Sequence, residues 1–212
     1  MEKNYKIIDQ SNWKRAIHCA IFQKSMQPRF CVSFDLDVTV FRKMVKEKGY
    51  SFTLAMTYLV SRAANEIEEF RYRFLDGEVV LYDKINTSFT YINKETELFK
   101  VVNVPMMETL EEYINEANKI IENQKVYFTG PMGNDVFQFS SMPWVAFHYI
   151  SHTYSGNNQC ATPMFDWGKY DTKGEQMILP FSVQVHHSFV DGIHIGRLVE
   201  KLNRYLENPS ML

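Results

Sequence analysis

At 212 residues, with 45% hydrophobic and 15% aromatic content, the chain can bury one substantial core and is short for two. A net charge of -2 argues against nucleic acid as a partner, which calls for a basic footprint. Cys19, Cys31 and Cys160 form neither a disulfide framework nor a CxxC pair, and no apolar run reaches the roughly 18 residues of a membrane span.

Met1 to Gln10 is charged, without the apolar stretch of a signal peptide, so a cytoplasmic setting is expected. A helix is predicted from Ser11 or Asn12 to Lys24, with Trp13, Ile17, Ala20 and Ile21 on one face. Phe30, Val32, Phe34 and Leu36 alternate as a strand does. Asp37 is placed to cap a short helix carrying Val40, Phe41, Met44 and Val45, which Gly49 stops. Ser51 caps the next, through Met56, Leu59, Val60 and Ala63. Asp76-Gly77 lies between two apolar runs and predicts a hairpin.

Strands follow near 88–93 and 97–102, then an amphipathic helix from Met106 to Gln124. A glycine-rich loop, Thr129 to Asn134, leads to a strand over Val136–Ser140 and on to Met142-Pro143-Trp144. Two last strands flank a turn at Asp171–Gly174, and a terminal helix buries Leu198, Val199, Leu202, Tyr205 and Leu206. No repeat or linker interrupts residues 1–212, so one domain is expected. Strands and helices mix without strict alternation. That predicts an α/β two-layer sandwich, with a mixed, mostly antiparallel sheet and helices packed on it.

The last strand, Met177 to His187, runs into a turn that opens a helix at about Ile193. Here His186-His187 is followed by Asp191-Gly192. Imidazole is the side chain best suited to take a proton near neutral pH, and a sharp turn after it can aim the ring into a cleft. Period-two alternation sends His186 to the opposite face, where packing is its expected role. Asp191 invites a triad reading with His187. A zinc reading of His186, His187, Asp191 and His194 is opposed by the change from strand to helix inside the cluster, so no metal is expected.

The text around that motif resembles the chloramphenicol acetyltransferase family of coenzyme-A-dependent acyltransferases. The resemblance is carried by Leu179-Pro180-Phe181-Ser182-Val183-Gln184-Val185-His186-His187 and by Asp191-Gly192-Ile193-His194-Ile195-Gly196-Arg197. Further blocks match in order: Trp13-Lys14-Arg15, Phe70-Arg71, Asp76-Gly77-Glu78, Glu95-Thr96-Glu97-Leu98-Phe99, Ser140-Ser141-Met142-Pro143-Trp144 and Gly168-Lys169-Tyr170. The resemblance implies a homotrimer with active sites at subunit interfaces. It also implies direct transfer of acetyl from acetyl-CoA, a co-substrate rather than a resident cofactor, to a hydroxyl of chloramphenicol. Within it His187 is the general base, Ser140 donates to the oxyanion, and Asp191 pairs with Arg15 to hold the turn. Trp144, Lys169 and Tyr170 match positions along the coenzyme channel. Phe22, Phe99, Gln138 and Asp166 fall on the acceptor side.

Three of those acceptor positions depart from the family pattern. Phe22 stands where a tyrosine contacts the drug, Gln138 where a shorter Asn is common, and Asp166 where a threonine positions a water. Pro28 also replaces a cysteine, and Phe147–Gln159 is unusually polar, with His148 and His152. These departures leave a second reading open, acetylation of another small hydroxyl or amine. A third reading is a non-catalytic coenzyme-A-binding scaffold, which the retained His187 and Ser140 oppose.

Overall fold

Alternating side chains give the main sheet two unlike faces, and everything functional follows from that division. The computed structural model describes residues 3–129, 133–152 and 156–212. In chain order the elements are β1 (Tyr5–Ile7), α1 (Ala16–Gln23), β2 (Arg29–Asp37), α2 (Thr39–Glu47), α3 (Phe52–Asn65), β3 (Tyr72–Leu75), β4 (Glu78–Tyr82), β5 (Asn86–Ile92) and β6 (Phe99–Val104). They continue with α4 (Leu110–Asn123), β7 (Val136–Ser141), β8 (Met164–Trp167), β9 (Asp171–Lys173), β10 (Gln176–His186) and α5 (Gly192–Glu207). The main sheet runs β2-β10-β8-β7-β5-β6, with β9 paired to β10. Its β5–β7 and β7–β8 ladders are parallel and the others antiparallel, the mixed, mostly antiparallel sheet that was expected. A small antiparallel sheet, β1-β4-β3, stands beside it.

On one face, register aligns Phe34 with Phe181 and Phe181 with Trp167, and beside them Phe165 with Phe139. Their rings pack against one another across the strands, mostly tilted, at centroid distances of 5.3 to 6.2 Å. This face joins the buried core with α3, α4 and α5, where Tyr58, Tyr113, Leu198 and Leu202 are fully enclosed. The other face carries Cys31, Ser33, Ser182, Gln184, Asp166, Gln138 and Ser140 in neighbouring register positions. Period-two alternation separates the faces in this way, apolar toward the helices and polar on the other side, where Asp166 and Ser182 are nonetheless fully buried.

Local signals account for the element ends. Ser51 Oγ accepts the Leu54 N–H at 3.5 Å, so α3 begins where its cap predicted. Asp76 and Gly77 both take positive φ, 51° and 86°, the conformation a two-residue hairpin with right-twisted strands needs. The buried Arg73 guanidinium donates to the carbonyls of Phe70, Tyr72, Asn134 and Val136, tying the small sheet to the start of β7.

Several expectations are corrected. The first helix starts at Ala16, and its anticipated apolar face is open: Ile17 is 74% and Ile21 59% exposed, while Cys19 packs inward. Asp37 lies one residue ahead of the cap of α2, bonding Thr39 N and Oγ1 at 3.0 and 2.5 Å. The long helix begins at Leu110, because Thr109 and Glu112 form a capping box that the apolar periodicity alone could not reveal. Asp171 to Lys173 is a strand rather than a turn, and β10 ends at His186. Residues 130–132 of the glycine-rich loop and 153–155 of the polar segment lie outside the described residues.

Candidate active site

The chain leaves β10 at His186, turns through 187–189 and enters α5 at Gly192, with Asp191 extended at the cap. Arg15, just ahead of α1, grips this turn. Its two terminal nitrogens bond the Asp191 carboxylate at 2.6 and 2.7 Å, while Nε donates to the Ser188 carbonyl at 2.9 Å and Nη2 to the His187 carbonyl at 3.1 Å. A planar guanidinium fits a carboxylate in this bidentate way. The hydrogen bonds from Arg15 hold the Asp191 carboxyl below its usual range.

His187 follows directly on β10, its own N–H bonded to the Pro28 carbonyl at 2.8 Å. Its ring stacks on Phe22 at 3.8 Å with 7° between planes, and Phe30 leans against it at 4.8 Å. Nδ1 is buried and lies 3.0 Å from Asp191 Oδ1, yet outside hydrogen-bond geometry. The side chain as a whole is 36% exposed, so its accessible edge is the one bearing Nε2. Asp191 is thus committed to Arg15, and the pairing that the family resemblance implied is the one present. His186 turns inward: its Nδ1 accepts the Ser188 N–H at 3.1 Å, which leaves Nε2–H to donate to the Asn158 carbonyl at 2.8 Å. Burial pushes its pKa down to about 4.

Ser140 lies on β7 in a cleft of about 380 Å³, among Ser51, Leu54, Tyr91, Phe99 and Trp144. Of the residues expected along the coenzyme channel, Trp144 lines this cleft and is 64% exposed. Lys169 and Tyr170 are set back from it. Lys169 N–H bonds the Val145 carbonyl at 2.8 Å, and the Tyr170 ring meets Phe52 at 6.2 Å, beside the Ser51 edge. Phe99, expected with the acceptor, shares the cleft with Ser140. Lys94 also lines it, a residue the sequence reading did not single out.

Asp166 is in register with Ser140 on one side and Ser182 on the other. It is fully buried, and Oδ2 lies 2.9 Å from His152 Nε2, while Oδ1 has no partner among the described residues. Burial raises its pKa and the His152 contact opposes that rise. His152 in turn lines a second pocket, about 360 Å³, with Pro28, Phe30, Cys31, Tyr149 and Gln184. No spacing in the sequence linked residues 152 and 166, because one stands on a loop and the other on a strand. Gln138 lies two residues before Ser140 on the same face, its backbone N–H bonded to the Pro163 carbonyl. The Cys31 thiol, 3.0 Å from Ser182 Oγ, is pushed up by burial, which disfavours a nucleophilic thiolate.

Register fixes the separation of the two central groups. Ser140, Asp166 and Ser182 lie abreast on β7, β8 and β10, and His187 comes five residues after Ser182. Two strand spacings and five residues of rise place His187 about 19 Å from Ser140 within one chain. The two cannot act on one carbonyl unless different copies supply them.

A family model described as chloramphenicol acetyltransferase matches residues 3–203. Chloramphenicol acetyltransferase 2 of Escherichia coli is 32% identical over 97% of this chain and 98% of its own length. Its counterpart from Haemophilus influenzae is 30% identical over the same shares. A solved chloramphenicol acetyltransferase superposes with a TM-score of 0.86 at 30% identity, covering 95% of this chain and 99% of the other. With the His187 turn, the two-faced sheet and a match along nearly all of its length, the chain belongs to the chloramphenicol acetyltransferase family.

Proposed function

We propose that the protein is an acetyl-CoA-dependent O-acetyltransferase that inactivates chloramphenicol by acetylating one of its hydroxyls in a ternary complex. The observation that carries this reading is the presentation of His187: Nδ1 faces inward, the turn is clamped by Arg15, and the open edge offers Nε2. Nε2 takes the hydroxyl proton as the oxygen attacks the thioester carbonyl. The tetrahedral oxyanion accepts a hydrogen bond from Ser140 Oγ–H. Collapse breaks the C–S bond, and the proton on His187 passes to the departing thiolate, returning the base to its starting state. A positioned base contributes about 10²–10⁴-fold and one oxyanion donor about 10²–10³-fold.

In this reading Trp144, Lys169 and Tyr170 hold the coenzyme, while Phe22, Phe99, Gln138 and Asp166 border the acceptor. The within-chain separation of about 19 Å supports sites that combine His187 of one copy with Ser140 of another, as in the homotrimer the family resemblance implies. The setting proposed is the cytoplasm; among the described residues no helix is long and apolar enough to cross a membrane. Purified protein given acetyl-CoA and chloramphenicol is expected to release free thiol, and His187→Ala to lower the rate by about 10²–10⁴-fold. No release above background overturns the reading.

One observation favours a different acceptor. The His152–Asp166 pair adjoins the pocket lined by Phe30, Cys31 and Gln184, and it sets a buried carboxyl group beside the proposed oxyanion donor. A carboxylate there costs more as an oxyanion develops nearby in a low-dielectric site. A large gain in chloramphenicol turnover from Phe22→Tyr combined with Asp166→Thr would mark the native pocket as fitted to another small alcohol or amine.

A further inference from the structure

His194 is buried on the first turn of α5, and its imidazole touches both the cap of that helix and a distant carboxylate. Nδ1 accepts the backbone N–H of Asp191 at 2.8 Å. An accepting nitrogen carries no proton, so the ring is the neutral tautomer with its hydrogen on Nε2. That nitrogen lies 3.4 Å from Glu69 Oε1, on a short 3-10 segment, Glu68–Phe70. Both partners are largely enclosed. Asp191 is therefore held twice, by Arg15 at its carboxylate and by His194 at its N–H. His187 lies four residues earlier, between the Pro28 carbonyl that receives its N–H and the turn so fixed.

We infer that His194, oriented by Glu69, is a positioning residue for His187: it fixes the turn only while its imidazole is neutral, and protonation releases the turn. The inference rests on the functional reading above for its consequence in turnover, and on the geometry alone for its structural part. Position 194 is where a capping box ordinarily carries Gln or Glu, whose side chain accepts the same backbone N–H. Histidine does that work here with a group that titrates. A second proton would sit on Nδ1, facing the Asp191 N–H it must accept, and the bond would be lost. The charged groups facing the ring are Glu69 from the 3-10 segment, Arg15 from the start of α1, and Asp191 and Arg197 from α5 and its cap; burial and the two arginines disfavour the imidazolium.

The test compares H194L, H194Q and E69Q in the full chain, by thiol release and by crystal structures. H194L, which has no acceptor, is expected to lower kcat about 10- to 100-fold with both KM values within about twofold, since misplacing a base by an ångström costs on that order. H194Q restores the accepting oxygen and is expected to recover to within about threefold of wild type. The acid limb of kcat/KM, which reports groups of the free enzyme, steepens to second order in protons for wild type and stays first order for H194Q. E69Q, which leaves the imidazole in place if H194L does not fold, shifts that second proton to lower pH. The inference falls if H194L turns over within twofold of wild type, if H194Q is as impaired as H194L, or if the acid limb has the same order in wild type and H194Q. Should wild type release no thiol with chloramphenicol, the functional reading falls and the structures decide. Loss of the 3.8 Å Phe22–His187 stack in H194L and its retention in H194Q support the inference; the same stack in both overturns it.

Discussion

Arg15 forms four of its hydrogen bonds to the 187–191 turn, so the stability of that turn depends on a single fork of nitrogens. Asp191→Asn leaves the guanidinium against a neutral amide. The expected loss is about 2–4 kcal/mol, less than for a wholly enclosed pair because the Asp191 side chain is 32% exposed. Urea unfolding measures it, and Arg15→Lys, keeping the charge without the fork, should do little better than Asp191→Asn. His186 gives a pH signature. Its pKa falls from 6.5 to about 4 on folding, so between those values the unfolded chain binds the extra proton. Stability is therefore full above about pH 6.5 and drains as pH falls toward 4, by up to about 3 kcal/mol. Unfolding curves at pH 7 and pH 5 should show the fall, and His186→Gln should flatten it.

Capping decides where the helices begin. Thr109 and Glu112 satisfy each other's backbone N–H groups at the start of α4, at 3.3 and 3.1 Å. Thr109→Ala is expected to cost about 1 kcal/mol, seen as a lower urea midpoint with an unchanged slope. The sequence made Ser51 and Asp76-Gly77 legible because each acts within three residues of itself. The Thr109-x-x-Glu112 cap is just as local, and the helix start fell too early, at Met106, only because it was read from apolar spacing rather than from the cap. On α1 the periodic face of Ile17 and Ile21 was real, but periodicity names a stripe without naming what covers it.

At the scale of the whole molecule the strand register separates the proposed base from the proposed oxyanion donor. If sites form between copies, chains inactivated at different residues can repair each other. Co-expressed His187→Ala and Ser140→Ala chains should assemble some sites with both groups intact, about a quarter of the total under random mixing. Thiol release should then exceed that of either variant alone, while separately purified and unmixed variants should not. Equal rates in the mixed and unmixed preparations would argue against shared sites.

What the chain specified by itself is whatever depends on neighbours in sequence: the alternation of the strands, the hairpin, the Ser51 cap, and the turn that sets His187 after a long strand. The pairing of Arg15 with Asp191 was reached through family resemblance, since the two stand 176 positions apart. Folding alone decided the Phe22 stack on His187, the union of His152 with Asp166, the hold of Glu69 on His194, and the distance between His187 and Ser140. Each of these depends on which strands lie side by side and in what register. A linear pattern carries only the period of each element, not the neighbour it will meet.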